Sequence, residues 1–551
     1  MSARISDLQK QRAGYQPKLP PALRSGKIKV ELGAATEPAT DREAIRKEFP
    51  NTYGQPLARI VHGEGLESTP LKVGVVLSGG QAPGGHNVIA GFFDALKAAN
   101  SESRLFGFLK GPKGVIKGRY KDLTAEVIDR YRNTGGFDMI MSGRDKIEST
   151  EHLAACKSNF NDMDLDGLVV IGGDDSNTNA AVLAEYLKAQ RSKTVVVGVP
   201  KTIDGDMKND QIEVSFGFDT ACKTYSELIG NICRDATSAV KYWHFIRLMG
   251  RAASHVALEC ALQTQPNITL ISEEIQAKGT TLEGVVDQIV DVIVKRSEAG
   301  RNYGILVVPE GLPEFISDIK TLIDHLSAIL GREEKYIHSL PSHEDRFQHV
   351  TSQDQMDDHS ARVYGSLPQD IQEVLLRRDE HGNVPLSQVK TEDLLIDLVS
   401  DKLGSLEAHG KKVKFSPLGH FFGYEGRCAM PSNFDADYCY SLGHAAAQFV
   451  RARLTGYTVN IQNLTRPSDQ WIAGGTPVTM MLNKEVRKGE ETLVIKKALV
   501  DLDGEPFKRF AANRDNWALN DEYVFPGPVQ YFGPSEICDA PTITLALEKG
   551  A

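Results

Sequence analysis

Two stretches decide the fold: Gly172-Gly173-Asp174-Asp175-Ser176-Asn177-Thr178-Asn179 and Pro200-Lys201-Thr202-Ile203-Asp204-Gly205-Asp206. Each follows an apolar run, Leu168-Val169-Val170-Ile171 before the first and Val195-Val196-Val197 before the second. Unbroken Val/Ile/Leu runs of this length suit strands buried on both faces, as in a parallel sheet. Between them, the Ala/Leu-rich segment from Ala180 to Ala189 reads as a helix. Strand, glycine turn, helix, strand, acidic turn is a βαβ unit. In such sheets ligands bind at the carboxyl ends of the strands, where both turns fall.

The residue types suit phosphate chemistry. Gly172 and Gly173 let the backbone approach a ligand, and the N–H groups opening the next helix face an anion. Asp174, Asp175, Asp204 and Asp206 would repel a polyphosphate unless a cation intervened. Mg²⁺, held by one or two carboxylates plus phosphate oxygens, resolves that conflict. A GGDD turn on its own is equally compatible with a polar loop after a strand; two such turns in succession favour the phosphate reading.

Together the turns resemble the signature of the phosphofructokinase family, and specifically its pyrophosphate-dependent branch. ATP-using members carry glycine where Asp175 stands, and usually a small residue where Lys201 stands. The resemblance implies an α/β, phosphofructokinase-like fold: two Rossmann-like, doubly wound lobes with mainly parallel sheets, a mostly helical insertion, and N- and C-terminal extensions.

Further motifs follow in family order, from about residue 5 to the end. The strand Val73–Leu77 runs into Ser78-Gly79-Gly80-Gln81-Ala82-Pro83-Gly84-Gly85, a second candidate phosphate cradle before a helix through Ile89 to Leu96. It is neither a Walker A pattern nor a dinucleotide fingerprint; the resemblance places Gly79 and Gly80 beside the phosphoryl donor. Met139 to Arg144 reads as another strand-to-glycine turn, and Phe216 to Ala221 opens a long helix through Ile232. Residues 241–248 read as a strand ending at Met249-Gly250-Arg251, which the resemblance sets against a sugar phosphate. Tyr242 stands where ATP-dependent members usually have an arginine reaching a neighbouring subunit's substrate. Ile268 to Ser272 reads as a strand, and Leu282 to Val294 as a helix with Val285, Val286, Ile289, Val290 and Ile293 on a core-facing stripe. Gly304 to Gly311 repeats strand-then-turn, with Glu310 a candidate acceptor for sugar hydroxyls.

Between about 330 and 410 the texture changes to His, Asp, Gln and Ser, with helical blocks around 371–376 and 394–403. Its histidines (His338, His343, His349, His359) lack metal-site spacing and read as surface residues. By resemblance the block is an insertion that covers the cleft or builds a dimer interface. Gly423-Tyr424-Glu425-Gly426-Arg427 then presents an arginine suited to capture of a phosphate dianion. The resemblance assigns Tyr424 and Arg427 to the sugar 6-phosphate. A helix from Tyr438 to Phe449 follows, then strand-like pieces at Val478–Leu482 and Thr492–Leu502.

The resemblance implies transfer of a phosphoryl group from pyrophosphate to the 1-hydroxyl of fructose 6-phosphate. Asp204 is the expected base; Lys201 and Asp175 complete the catalytic set, with Asp175 excluding nucleotides. Gly79, Gly80, Lys201 and Thr202 are expected on pyrophosphate. Thr202, Asp204, Met249, Gly250, Arg251, Glu310, Tyr424 and Arg427 are expected on fructose 6-phosphate, with Asp174 and Asp206 on Mg²⁺. Two rivals remain within the family. An ATP-dependent enzyme is opposed by Asp175 and Lys201; a non-catalytic regulatory subunit is opposed by retention of Lys201, Asp204 and Asp206. A GGD-type kinase for a lipid or dinucleotide leaves the Met249, Glu310 and Arg427 motifs unexplained.

Composition sets the outer bounds. At 551 residues, 41% hydrophobic and 25% charged, the chain is too long for one compact core. The expected segments are an arm over 1–70, a pyrophosphate-binding lobe over 71–240, and a fructose 6-phosphate lobe over 241–329 and 411–454. The insertion at 330–410 and a C-terminal extension over 455–551 complete the chain. In the arm, two short helices are expected, the second opened by a capping box from Thr40 to Glu43. A net charge of −10 gives no reason to expect nucleic acid or an anionic membrane as partner. Seven cysteines without a C-x-x-C, the absence of an apolar segment in Met1–Lys18 and of any membrane-length apolar run point to free thiols and the cytoplasm. A homodimer or homo-oligomer is expected, or a hetero-oligomer with a regulatory paralogue.

Overall fold

The computed structural model describes residues 5–24, 26–378, 384, 388–487 and 490–528. Cys538 and the first four residues of the Met1–Lys18 stretch lie outside these, as does the end of the expected C-terminal extension. The described residues fall into two compact units, one from 5–224, 424–498 and 528, the other from 225–423 and 499–527.

In the first unit the strands are β1 Ile28–Ala35, β2 Pro56–His62, β3 Lys72–Ser78, β4 Arg104–Phe108, β5 Tyr120–Asp122, β6 Ser142–Gly143, β7 Gly167–Gly172, β8 Val195–Thr202 and β9 Phe216–Gly217. The second unit carries β10 Trp243–Leu248, β11 Ile268–Thr269, β12 Gly304–Pro309 and β13 Pro417–Phe422. The chain then returns to the first unit for β14 Tyr457–Gln462, β15 Ile472–Pro477, β16 Leu482–Arg487 and β17 Glu490–Ile495.

The first unit's sheet has 11 strands, ordered β1-β2-β15-β14-β8-β7-β3-β4-β5, with β6 beside β3 and β9 beside β8. From β14 to β4 the neighbours are parallel; both flanks are antiparallel. The apolar runs behave as their composition demands: β7 is buried at every position, and Leu168, Val170 and Val196 pack with Leu183 and Leu187 of the helix Asp174–Ala189. After β3 the chain places β4 on one side and β7 on the other. The carboxyl ends of β3 and β7 therefore flank a topological switch point.

The second unit holds a four-stranded parallel sheet, β11-β12-β10-β13. The expected stripe Val285, Val286, Ile289, Val290 and Ile293, on the helix Leu282–Glu298, packs against Phe245, Leu306 and Val308. The insertion is helical: Ser317–Ser339, His343–Val350, Asp358–Ser366, Gln369–Leu375 and Thr391–Ala408. Leu322, Leu326, Leu395 and Val399 carry these helices into the same core. His338 and His359 are exposed, His343 and His349 half-buried.

Several local expectations are corrected. No capping box opens Arg42–Glu48: the N-cap is Asp41, in a left-handed conformation, and its carboxylate accepts the Lys484 N–H instead. The stretch 1–70 is not only helical, since β1 and β2 extend the main sheet through β15. The segment before Gly143 is not a strand: only Ser142–Gly143 pairs, with β3. Ile268–Ser272 shortens to two residues because Ser272 opens a helix. Val478–Met481 is a 3₁₀ turn, and the strand starts at Leu482. The helix expected to end at Ile232 runs from Phe218 to Ala239.

Candidate functional site

Register aligns the turns. Leu77 of β3 pairs with Ile171 of β7, and Ile171 and Gly172 pair with Val199 and Pro200 of β8. The three strands thus end side by side, presenting Gly79-Gly80, Gly173–Asp175 and Lys201–Asp206 at one edge. Side chains lock this alignment. Ser176 Oγ donates to Ser78 Oγ at 2.8 Å. Fully buried Asn177 donates to the carbonyls of Gly172 (2.6 Å) and Val199 (3.3 Å) and accepts from Thr458 Oγ1 (3.0 Å), bracing β7 against β8. Gly79 has φ +85°, a conformation that side-chain-bearing residues rarely adopt, and a Cβ there would lie 3.3 Å from Lys201 Nζ. A Cβ on Gly80 would fall 2.4 Å from Arg427 Nη1, so the guanidinium rests against this backbone only because the position is glycine.

Lys201 is 6% exposed. Desolvation, reinforced by Arg427, lowers its ammonium pKa to about 8, while Asp204, Asp174 and Asp206 oppose the fall. Asp206 is pushed up to about 7, first by burial and then by the charges of Asp204 and Asp174, with Lys497 opposing. Thr202 Oγ1 accepts the N–H of Asp204 at 3.0 Å, which shapes the acidic turn. Asp174 and Asp175 are the first two residues of their helix, where the dipole favours carboxylates; Asp175 is exposed.

The acids fit a phosphate-accompanied cation rather than a protein cage. Among the described residues no set of three His, Cys, Asp or Glu converges on a metal position. Asp206, buried among like charges, is nevertheless the kind of group a cation relieves. One or two carboxylates completed by phosphate oxygens and water is how Mg²⁺ is usually held.

Beside the Gly79-Gly80 turn lies a cleft of about 640 Å³. Four of the expected residues, Gly79, Gly80, Tyr424 and Arg427, line it, together with Gln81, Asp138, Arg144 and Cys428. Arg144, Gln81 and Lys497 were not singled out as site residues from the sequence. Arg144 follows a glycine at the end of a pairing strand, the same signal that marked Gly79. Lys497 gave no local signal, being brought in from 291 positions beyond Asp206 by the hairpin β16–β17.

Met249, Gly250, Arg251 and Glu310 belong to the second unit and form a group of their own. Parallel pairing of β10 with β12 sets Leu248 opposite Pro309, so the two turns meet. Glu310, 5% exposed, accepts the Gly250 N–H at 3.1 Å. Met249 is buried and Arg251 exposed.

A doubly wound α/β unit with glycine and acidic turns collected at its switch point defines a phosphate-handling protein. A family profile described as Phosphofructokinase matches residues 72–365. The chain is 53% identical to the pyrophosphate–fructose 6-phosphate 1-phosphotransferase of Porphyromonas gingivalis, across 98% of each chain. It is 48% identical to subunit beta 2 of the Arabidopsis thaliana enzyme of that name, across 99% of this chain and 94% of that one. A solved pyrophosphate-dependent phosphofructokinase from Nitrosospira multiformis shares the fold, with a TM-score of 0.53 at 16% identity, covering 82% of this chain and 93% of that one. The chain belongs to the phosphofructokinase family.

Proposed function

We propose that the chain catalyses reversible transfer of a phosphoryl group from pyrophosphate to the 1-hydroxyl of fructose 6-phosphate, giving fructose 1,6-bisphosphate and phosphate. The observation that carries this reading is Lys201, a buried ammonium between the Gly79 turn and an acid cluster that includes Asp174. It supplies positive charge where a diphosphate would lie, beside carboxylates that disfavour a longer anion.

Phosphoryl transfer needs in-line placement, neutralised charge and a base at the attacking hydroxyl. Asp204, half-buried and held by Thr202, takes the proton of the sugar 1-hydroxyl. Lys201 balances charge on the transferring group, with the Gly79 and Gly80 backbone and Thr202 beside the diphosphate. Asp174 and Asp206 would hold Mg²⁺, which supplies charge neutralisation across the phosphate oxygens. Met249, Gly250, Arg251, Glu310, Tyr424 and Arg427 are assigned to the sugar phosphate, the arginines to its dianion. The chain is placed in the cytoplasm, as a homo-oligomer or with a paralogous subunit. Among the described residues no helix is long and apolar enough to cross a membrane.

Donor choice is assigned to Asp175. A nucleotide's next phosphate at ~4–5 Å from this carboxylate costs between about 1 and 4 kcal/mol as the effective dielectric falls from ~80 to ~20. Solvent exposure puts Asp175 towards the lower figure, still roughly fivefold in affinity. Pyrophosphate ends before that point, so the discrimination is by repulsion. The test is a coupled assay of the purified chain with pyrophosphate or ATP, repeated on Asp175→Gly. Turnover with pyrophosphate, little with ATP, and a gain with ATP in the variant are expected. A preference for ATP in the wild type, or none for pyrophosphate, overturns the reading.

A further inference from the structure

The hairpin β16–β17 places one more charged group at the acidic turns. From the end of β17 the chain is stitched to both of them through its backbone. The Ile495 N–H donates to Thr178 Oγ1 (3.1 Å), whose hydroxyl donates to the carbonyl of Asp174 (2.9 Å). The Ala498 N–H donates to the carbonyl of Asp206 (2.7 Å). Between these anchors stands Lys497, with Nζ 3.7 Å from Asp174 Oδ2 and its charge also felt at Asp206. The main chain that carries Lys497 is therefore fixed on both sides by hydrogen bonds. Its partners are the two carboxylates assigned above to the metal.

We propose that Lys497 is a positioning residue that acts as the resident counter-cation of the Asp174–Asp206 pair and competes with the incoming divalent metal. This rests on the reading of that pair as metal-holding. The ammonium offsets part of the negative charge of the two acids before substrate arrives. A divalent ion must enter against it, so Lys497 weakens metal binding to the free enzyme. Pyrophosphate, which brings its own negative charge, offsets that opposition and couples metal entry to donor entry.

The sign of the effect separates this role from a merely structural one. Removing the ammonium while keeping the side chain's length, Lys497→Met, should tighten Mn²⁺ binding to the substrate-free protein by roughly three- to tenfold, from the loss of one like charge at partly solvated range. Lys497→Arg should restore the wild-type affinity. A structural lesion would loosen binding instead. The measurement is Mn²⁺ titration of the full chain, followed by water-proton relaxation, on wild type, Lys497→Met, Lys497→Arg, Asp174→Asn and Asp206→Asn. If the two Asn variants weaken binding but Lys497→Met leaves it unchanged or weaker, the inference falls while the metal assignment stands. If neither Asn variant alters Mn²⁺ affinity, the metal assignment itself falls and takes the inference with it.

Discussion

At Lys201 a single proton answers to several neighbours at once. Burial and Arg427 bring its pKa down to about 8, against the pull of Asp204, Asp174 and Asp206. A lysine pKa lowered this way keeps its charge below about pH 8 and loses it above. Because kcat/KM reports the free enzyme, its value with pyrophosphate should fall as pH rises through about 8. Bound pyrophosphate, an anion, raises the same pKa, so the fall in kcat should come at higher pH. Lys201→Arg, which does not deprotonate in this range, should lose the alkaline limb even if its rate is lower. A wild-type kcat/KM profile flat to pH 10 would contradict the assignment. At this scale the sequence supplies candidates by residue type within a short motif, as at Lys201, Asp175 and Asp204, and the structure gathers the turns that carry them at one sheet edge. It was silent where proximity comes from tertiary packing: nothing near Arg427 announces that its guanidinium lies on Gly80.

Elements were legible where burial is two-sided. The apolar runs of β3, β7, β8 and β12 suit strands buried on both faces, and these strands appear where expected, as does β10. The antiparallel flank was missed for the same physical reason. β1 is exposed at most positions, so its sequence carries no apolar run to read. β15, Ile472-Ala473-Gly474-Gly475-Thr476-Pro477, is buried but nearly devoid of large side chains. Its glycines admit the Phe449 ring and the Ala58 carbonyl, contacts visible only once folded. The insertion has its own long-range tie. Arg247 of β10 meets Glu392 of the helix Thr391–Ala408 at 2.6 Å, both side chains 7% exposed, with the guanidinium 4.1 Å over Phe421. Removing one partner of such a pair leaves a buried charge, at a cost of about 3–5 kcal/mol. Glu392→Leu should therefore lower the denaturant midpoint markedly and raise the KM for fructose 6-phosphate, since Arg247 precedes the Met249 turn by two positions. Arg247→Leu added to it should recover most of the stability, because no uncompensated charge remains. Equal stability of wild type and Glu392→Leu in urea would show the pair to be solvated.

For the whole molecule, the cysteines report how completely the two units exclude water. Of the free thiols among the described residues, five are buried and Cys428 is exposed. Only the thiolate is nucleophilic, and burial pushes Cys156 and Cys233 up to about 12 and Cys439 well above its ordinary value. Cys222 and Cys260 are buried as well, at 1% and 0% exposure. Cys428 donates its S–H to Gln81 Oε1 at 2.8 Å on the wall of the cleft; partial burial raises its pKa too, but reagent can reach it. In a Cys538→Ser background, a disulfide reagent at pH 8 should therefore titrate one thiol per native chain, with five more released only on unfolding. Because Cys428 shares the cleft with Gly80 and Arg427, pyrophosphate should slow that first reaction while leaving the unfolded count unchanged. Rapid reaction of two or more thiols in the native chain would mean that at least one unit opens to solvent on the timescale of the assay. A first reaction indifferent to pyrophosphate would mean that the donor does not enter the cleft beside Cys428.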